Sequence, residues 1–252
     1  MTDFSFQLYS ARNYPPLGEV FRLLARLGYA QVEGFGGLYG DPAALKADLD
    51  AAGLTMPTGH FGLDMLRDGA AGVETARTLG VETIFCPFIG QEHWKQPDEK
   101  WTALARELGE LAKFYRDQGF GFGWHNHHFE FWPLDSGRTP MEVLLTEAPE
   151  LDWEMDVAWV VRGGDDPKRW IEKHGNRIAA IHLKDIAPEG EAADEDGWAD
   201  LGHGTVPWAD LCAAIKAQTA AKYLVMEHDN PNDLERFASR SLAAAKALWD
   251  QK

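Results

Sequence analysis

Cysteine is scarce in this chain, which has only Cys86 and Cys212 among its 252 residues. The two lie far apart, one in a predicted strand and the other in a predicted helix. This placement excludes the disulfide framework on which small secreted domains depend. Both residues are therefore expected to be buried free thiols.

Basic residues are also few. Lys and Arg number 24 against 40 Asp and Glu, so the net charge is −16. This charge repels the phosphates of nucleic acids and of anionic membranes, and neither is expected as a partner. No stretch approaches the roughly 18 apolar residues of a membrane-spanning helix, and the first residues do not resemble a signal peptide. We expect a cytoplasmic protein.

A dinucleotide-binding glycine motif is missing as well. No Gly-x-Gly-x-x-Gly follows the first predicted strand, and the glycines at 34, 36 and 37 have a different spacing. Such a motif would be needed at that turn to bring the backbone close to a pyrophosphate. Its absence weakens the alternative of a dinucleotide-binding fold.

The chain instead shows a regular alternation of short apolar runs and amphipathic stretches. The runs predict strands at 4–9, 30–34, 54–60, 83–86, 120–126, 151–157, 178–184 and 223–227. The stretches predict helices at 17–27, 42–52, 68–79, 97–118, 140–146, 167–174, 206–217 and 234–249. A long polar loop is expected at 185–204. This series of strand–helix units favours a (β/α)8 TIM barrel over an open sheet, and one domain over residues 1–252.

The carboxyl ends of the predicted strands carry many ionisable side chains. In a barrel of this kind, catalytic residues lie where those ends converge. The residues at the ends are Gln7, Tyr9, Glu33, His60, His125, Asn126, His127, Glu154, Asp156, His182, Lys184 and Glu227. Turn residues alone would mostly supply Gly, Ser, Asn and Asp. The excess of His and Glu predicts an active site at this rim.

Four of these residues form a candidate metal site, with one from each of the last four strands: His125, Asp156, His182 and Glu227. Two imidazoles with two carboxylates suit Mn²⁺, Co²⁺, Zn²⁺ or Fe²⁺ better than Mg²⁺ or Ca²⁺. A structural role in hydrogen bonding is the alternative for each histidine. An unpaired carboxylate inside a barrel is costly, which favours the ligand role for Asp156.

Five residues are candidates for contacting a substrate: Glu33, His60, His127, Trp159 and Lys184. Lys184 can bind a substrate oxygen or pair with Glu154, and Trp159 can stack on a sugar or belong to the core. The candidates for catalysis are Glu227 as proton acceptor, His125 as acid or base, and Lys184.

Several segments resemble one known group of proteins and occur in the same order. They are GWHNHHFEF (123–131), LDWEMDVAWV (151–160), RIAAIHLKD (177–185), LGHGTVPW (201–208) and VMEHD (225–229). Together they resemble the sugar phosphate isomerase/epimerase superfamily of xylose isomerase-like barrels. The resemblance implies one divalent ion held by Glu, Asp, His and Glu on strands 5 to 8. Asp156, His182 and Glu227 match the last three positions.

The chain departs from the family pattern at two positions. His125 stands where epimerases often have Glu, and Trp159 stands where many have His. An imidazole is better suited than a carboxylate to protonate a departing alkoxide near neutral pH. His125 therefore brings elimination into consideration beside isomerisation.

The resemblance implies a metal-dependent sugar isomerase or epimerase, which removes a proton next to a carbonyl through a metal-stabilised enediolate. One alternative is a metal-dependent lyase or dehydratase acting on a keto-sugar, keto-glycoside or keto-inositol. Another is a sugar-binding relative without catalytic activity. The acidic charge disfavours a nuclease of the endonuclease IV type. The expected partner is a small sugar or keto-sugar, and the sequence leaves a homo-oligomer open.

Overall fold

Eight parallel strands of this protein close into a barrel. The computed structural model describes residues 3–250. Its strands are β1 (Ser5–Gln7), β2 (Gln31–Phe35), β3 (Thr55–His60), β4 (Thr83–Cys86), β5 (Gly121–His125), β6 (Asp152–Asp156), β7 (Ile178–Leu183), β8 (Asp185–Ile186), β9 (Trp198–Ala199) and β10 (Tyr223–Met226). The barrel order is β1-β10-β7-β6-β5-β4-β3-β2, and each hydrogen-bonded pair within it is parallel.

Helices follow the barrel strands. They are α1 (Leu17–Leu27), α2 (Pro42–Ala52), α3 (Leu63–Arg67), α4 (Gly69–Leu79), α5 (Asp98–Asp117), α6 (Pro140–Glu147), α7 (Val157–Arg162), α8 (Pro167–His174), α9 (Trp208–Gln218) and α10 (Leu234–Trp249). All the predicted barrel strands and helices form, with ends within about two residues of those expected. The predicted (β/α)8 barrel is confirmed.

Local signals explain why the helix ends could be predicted closely. The side chain of Asp41 accepts a hydrogen bond from Ala44 N at 3.0 Å, which caps the first turn of α2. Gly53 ends the same helix with φ +71°, a conformation that side chains disfavour. These signals act within a few residues and need no tertiary context.

The first strand is shorter than predicted. It ends at Gln7, because the Gln7 side chain accepts a hydrogen bond from Tyr9 N at 3.0 Å. The chain then turns into a short 3-10 helix at Leu8–Ala11. Tyr9 therefore lies beyond the strand, at the mouth of the barrel.

Two α-helices and one hairpin were not predicted. Helix α3 has five residues, too few to show a helical period. Helix α7 reads Val-Ala-Trp-Val-Val-Arg, an apolar run that continues the pattern of β6, and only the Asp156 cap marks its start. The expected loop at 185–204 contains the antiparallel pair β8–β9. The hairpin brings Trp198 back toward β7.

The lower interior of the barrel is filled by apolar side chains. Phe85, Ala180, Tyr223 and Val225 form a cluster separate from the main core. Gly123 makes room for it, because a Cβ atom at that position would lie 2.8 Å from the Phe85 ring. Along each strand, side chains point alternately inward and outward. Inward-pointing residues that come later in a strand than this cluster therefore lie near the carboxyl end of the barrel. The cluster lies beneath the polar residues at the carboxyl ends of the strands.

Aromatic packing outside the barrel holds the strands against the helices. Phe6 contacts Tyr29 and Phe237, each with ring centroids 5.4 Å apart. On another side, Tyr115 of α5 stacks on Phe122 of β5 at 5.3 Å. Each fully buried side chain of this size contributes roughly 1.5–3 kcal/mol to stability. Such packing makes the strand ends a rigid support.

Two expectations from composition can be checked directly. Cys86 and Cys212 are both free and buried, as predicted. Among residues 3–250, no helix has the length and apolar character needed to cross a membrane.

Candidate active site

A cavity of about 540 Å³ opens at the carboxyl ends of the barrel strands. It is lined by Tyr9, Arg12, Phe35, Gly36, His60, Gly62, Pro87, Phe88, His125, His127, Trp159, Asp196, Glu227 and Asp229. Its imidazoles come from β3 and the end of β5, whereas Glu227 and Asp229 follow β10. Two strands, β6 and β7, separate β5 from β10 in the barrel. The imidazoles and these two carboxylates therefore come from strands that are not neighbours in the barrel.

Four buried side chains beside this cavity bring their donor atoms together, and we call them the rim group: His125, Asp156, His182 and Glu227. One nitrogen or oxygen of each lies within 4.8 Å of the others. His182 Nδ1 is 2.8 Å from Glu227 Oε2 and 3.9 Å from Asp156 Oδ2. The four come from consecutive barrel strands. These are the residues that the sequence predicted as metal ligands.

A divalent ion fits the rim group. Asp156 Oδ1 accepts a hydrogen bond from Trp159 N at 2.8 Å, but the buried Oδ2 has no hydrogen-bond partner among residues 3–250. Burying a carboxylate oxygen without a hydrogen bond or a nearby positive charge costs free energy, and a cation bound beside it would offset that cost. Two imidazoles and two carboxylates also form a donor set that Zn²⁺, Mn²⁺, Co²⁺ and Fe²⁺ accept.

The two carboxylates of the rim group respond differently to their surroundings. Burial raises the pKa of Glu227, but the charges of Lys184 and His182 outweigh it and hold the pKa well below its usual range. For Asp156, burial dominates and raises the pKa to about 8, against the effect of Lys184. Glu227 is therefore ionised at neutral pH, and a cation beside Oδ2 would ionise Asp156 too.

Lys184 is a buried positive charge behind the rim group. Its Nζ lies 2.7 Å from Asp229 Oδ2, 3.4 Å from Glu227 Oε2 and 3.7 Å from Asp156 Oδ2. Burial lowers the pKa of Lys184, but these carboxylates outweigh it and raise the pKa overall. The ammonium group therefore stays charged and partly balances the carboxylates.

Two tryptophans cover Lys184 on its other side. Its Nζ lies 4.8 Å from the ring centroid of Trp159 and 4.2 Å from that of Trp198. Trp198 belongs to the β8–β9 hairpin, so the hairpin helps to bury this lysine. Lys184 is fully buried and lies outside the cavity lining. Its predicted role in binding substrate stays a prediction.

A second set of ionisable side chains lies one pleat deeper in the barrel. Glu154 precedes Asp156 by two residues on β6 and faces the same interior. Its Oε2 lies 2.6 Å from His60 Nε2 and 3.1 Å from His125 Nδ1. The predicted pairing of Glu154 with Lys184 is not among the ion pairs of the described residues, because Lys184 contacts the carboxylates nearer the cavity.

Glu33 lies in the same deeper layer. Its Oε1 accepts a hydrogen bond from Gln7 Nε2 at 2.7 Å and lies 2.7 Å from His182 Nε2. The side chain is fully buried and does not line the cavity. Of the two residues predicted early in the chain to contact substrate, His60 lines the cavity and Glu33 lies beneath it.

Sequence reasoning did not identify Asn126 and Glu130 as residues that hold the site in place. Asn126 Oδ1 accepts hydrogen bonds from Trp153 Nε1 at 2.8 Å and Asp156 N at 3.0 Å, which ties the end of β5 to β6. Glu130 accepts from Trp124 Nε1 at 3.0 Å and His127 N at 2.9 Å. The signal was a polar residue between two candidate histidines, at Asn126, and an acidic residue between two phenylalanines, at Glu130.

Aromatic side chains form the outer wall of the cavity. The His127 ring lies 5.5 Å from Trp159 and 5.9 Å from Phe88, and all three line the cavity. Arg12, which the sequence did not single out, lies 4.0 Å above the Tyr9 ring and donates to the carbonyl oxygen of Asp229. This wall can stack on a flat, uncharged face of a ligand.

The chain is similar to known proteins over most of its length. Residues 21–248 match the family described as xylose isomerase-like TIM barrel. Among curated proteins, an inosose dehydratase from Geobacillus kaustophilus is 24% identical over 192 residues, which are 67% of this chain and 61% of that protein. Across the inosose dehydratases that match first, the chain spans 33–61% of their length.

Solved structures share the fold at low identity. A sugar phosphate isomerase/epimerase from Parabacteroides distasonis has a TM-score of 0.79 at 18% identity, covering 98% of this chain and 94% of the other. The IolI protein, solved with a bound zinc atom, has a TM-score of 0.77 at 13% identity, with coverage of 99% and 98%. These similarities establish the architecture and leave the reaction to be argued from the site.

Proposed function

This chain belongs to the xylose isomerase-like TIM barrel family, and we propose that it is a divalent-metal-dependent sugar isomerase or epimerase. The proposed reaction begins with removal of a proton from the carbon next to a carbonyl. One observation carries the proposal. The cavity is lined by the ionised Glu227 and by the imidazoles of His125 and His127, next to a donor set that fits an ion.

The ion would be held by the rim group. When bound, a divalent ion acts as a Lewis acid that polarises a substrate carbonyl. Zn²⁺ has the support of the zinc atom in the IolI structure, and Mn²⁺, Co²⁺ and Fe²⁺ suit the same donors.

Glu227 is the proposed proton acceptor. Its carboxylate lines the cavity, while its Oε2 is held 2.8 Å from His182 Nδ1 and 3.4 Å from Lys184 Nζ. These two contacts orient the group and keep it ionised. A general base must be both within reach of its proton and deprotonated, and Glu227 meets the second requirement.

The imidazoles of His125 and His127 are proposed to take part in the proton transfers that follow. Burial lowers the pKa of His125 to about 3 and that of His127 well below its usual value, so both rings are neutral. A neutral ring can donate one hydrogen bond and accept a proton. It can protonate a departing group, or the opposite face of the carbon, only after a proton reaches it, whereas in isomerisation Glu227 can return the proton that it removed. Return of the proton to the neighbouring carbon would give an isomer, and return to the opposite face would give an epimer.

The proposed substrate is a small sugar or keto-sugar without a phosphate. His127, Trp159 and Phe88 offer aromatic surfaces on which the apolar face of a sugar ring can stack. The cavity is lined by three carboxylates (Asp196, Glu227 and Asp229) against one cation (Arg12), and this excess, like the overall charge of −16, disfavours an anion.

A metal-dependent dehydratase acting on a keto-inositol or keto-sugar is the second candidate. It is supported by the curated relatives named inosose dehydratase. It uses the same first proton removal, followed by departure of water in place of proton return.

Deuterium exchange in D₂O tests the proposal. Chelator-treated protein is reloaded with Zn²⁺, Mn²⁺ or Co²⁺ and incubated with a panel of ketoses, aldoses and inososes. We expect metal-dependent deuterium uptake at the carbon next to the carbonyl. A product of the same composition marks the isomerase or epimerase, and loss of water marks the dehydratase. Binding of a sugar without exchange on any of them would overturn both and favour a binding protein.

A pair of variants makes this test specific to the site. Glu227→Gln should lower exchange by at least about 100-fold, as expected for loss of a general base. Glu235→Gln is the matched control, because its side chain is 61% exposed on α10, away from the cavity. Equal activity of the two variants would exclude Glu227 as the base.

A further inference from the structure

Three imidazole nitrogens converge on one carboxylate oxygen inside the barrel. His60 Nε2, His125 Nδ1 and His182 Nε2 lie 2.6, 3.1 and 3.3 Å from Glu154 Oε2. The three ring centroids are 4.5 to 5.4 Å apart. His60 Nε2 and His125 Nδ1 are at hydrogen-bonding distance from this oxygen, whereas His182 Nε2 lies closer to Glu33 Oε1, at 2.7 Å. Three imidazoles and two buried carboxylates are therefore gathered within a few ångströms inside the barrel.

The same spacing suits ligands that surround one ion. In a tetrahedral zinc site with bonds of about 2.0–2.1 Å, neighbouring ligand atoms lie about 3.3 Å apart. All four side chains are buried, and one donor atom of each lies within 4.8 Å of the others. We propose that His60, His125, Glu154 and His182 form a second cation site, the deep site, for a transition ion such as Zn²⁺ or Co²⁺.

Charge supports a second ion. Glu33, Glu154, Asp156 and Glu227 are four buried carboxylates grouped around the barrel axis, while the closest carboxylate contact of Lys184 is with Asp229. Protonated histidines can offset part of this charge, but His60 and His182 are neutral when they bind a metal, and burying four carboxylates is then costly. One divalent ion would balance half of it, and two would balance all of it. Glu33 Oε2 and Glu154 Oε1 also have no hydrogen-bond partner among residues 3–250.

The two ring nitrogens of His182 face different sites. Nδ1 faces Glu227 of the rim group, while Nε2 faces Glu33 and Glu154 below. With His125 bound to the deep ion through Nδ1, a rim ion keeps Asp156, His182 and Glu227. When both ions are bound, His182 would bridge them as an imidazolate, with its remaining ring proton released to solvent. Three protein ligands and one open position are typical of catalytic zinc, whereas four protein ligands are typical of structural zinc. This division of roles rests on the proposed function, but the deep site itself does not.

Ion stoichiometry tests the deep site. The full-length protein is stripped with a chelator, reloaded with Zn²⁺, desalted and analysed by elemental mass spectrometry. We expect two ions per chain in the wild type and one in Glu154→Gln, His60→Gln and Asp156→Asn. His174→Gln, which changes a remote histidine, should keep two. The proposal would be overturned if both Glu154→Gln and His60→Gln still bound two ions per chain. It would also be overturned if the wild type bound only one ion and Glu154→Gln bound one as well.

A measurement on the wild type covers the case in which these variants do not fold. In protein loaded with Co²⁺, NMR of ring C–H protons counts the imidazoles bound to paramagnetic ions. The deep site predicts three shifted rings, since His60 lies outside the rim group, whereas a rim ion alone shifts two. Two ions without deuterium exchange would support the deep site and overturn the proposed function. A single ion that Asp156→Asn removes, together with deuterium exchange in the wild type, would support the proposed function and overturn the deep site.

Discussion

His182 Nδ1 lies 2.8 Å from Glu227 Oε2, a contact between side chains of neighbouring barrel strands 45 positions apart in sequence. It orients the imidazole ring, because a ring nitrogen held by a carboxylate fixes the direction of the other nitrogen. The opposite nitrogen then faces the deeper layer at Glu33. One ring thus joins the cavity side of the barrel to its interior.

Removal of metal should lower thermal stability. A ligand present at 100 times its Kd stabilises the folded state by about 2.7 kcal/mol. For a chain of this size, that corresponds to a rise of roughly 5–10 °C in Tm. Calorimetry of chelated protein with and without Zn²⁺ measures it. Asp156→Asn should show a smaller rise, and an equal rise would mean that the rim group does not hold an ion.

His125→Ala should reduce metal content or turnover by at least about tenfold, as losses of ligands or of their supporting groups commonly do. The physical reason is that His125 contributes to both donor sets and lies 3.1 Å from Glu154. His93→Ala is the control, because that side chain is 55% exposed in a short 3-10 turn. Unchanged metal and rate in His125→Ala would limit His125 to a structural role.

Lys184→Met should destabilise the protein by about 3–5 kcal/mol, because removing one partner leaves buried carboxylates without compensation. The carboxylate nearest to its Nζ is that of Asp229, at 2.7 Å. Urea unfolding compares this variant with Lys222→Met, a change at an exposed residue that should stay within about 0.5 kcal/mol. A loss below about 1 kcal/mol would show that the buried charges are balanced in another way.

His174 should contribute to acid sensitivity. Burial lowers its pKa from 6.5 to about 4, and Lys173 and Arg177 add to this effect. The unfolded chain therefore binds the proton more readily, so stability is retained above pH 6.5 and lost as pH falls toward 4. In His174→Phe, which keeps a ring stacked on Trp170, stability should fall less between pH 7 and pH 4.5. Urea titrations at both pH values would contradict this if the two proteins lost stability equally.

The barrel could be predicted because its signals are local. Helix α2 is marked by Asp41 at one end and Gly53 at the other, within a stretch of thirteen residues. Strands such as β7 appear as apolar runs of a set length. Because parallel strands end on the same side of a barrel, their polar last residues could also be expected to converge. The grouping of His125, Asp156, His182 and Glu227 follows from that rule.

The depth of each side chain depends on contacts between distant segments. Glu154 lies 94 positions from His60, and strand alternation alone does not reveal that their side chains meet at 2.6 Å. Trp198, which helps to bury Lys184, comes from a hairpin with only two residues in each strand. Sequence patterns report which face a residue occupies. The shape of the closed barrel sets which inward side chains share the same few ångströms, and that distance decides whether they bind substrate, hold an ion or balance a charge.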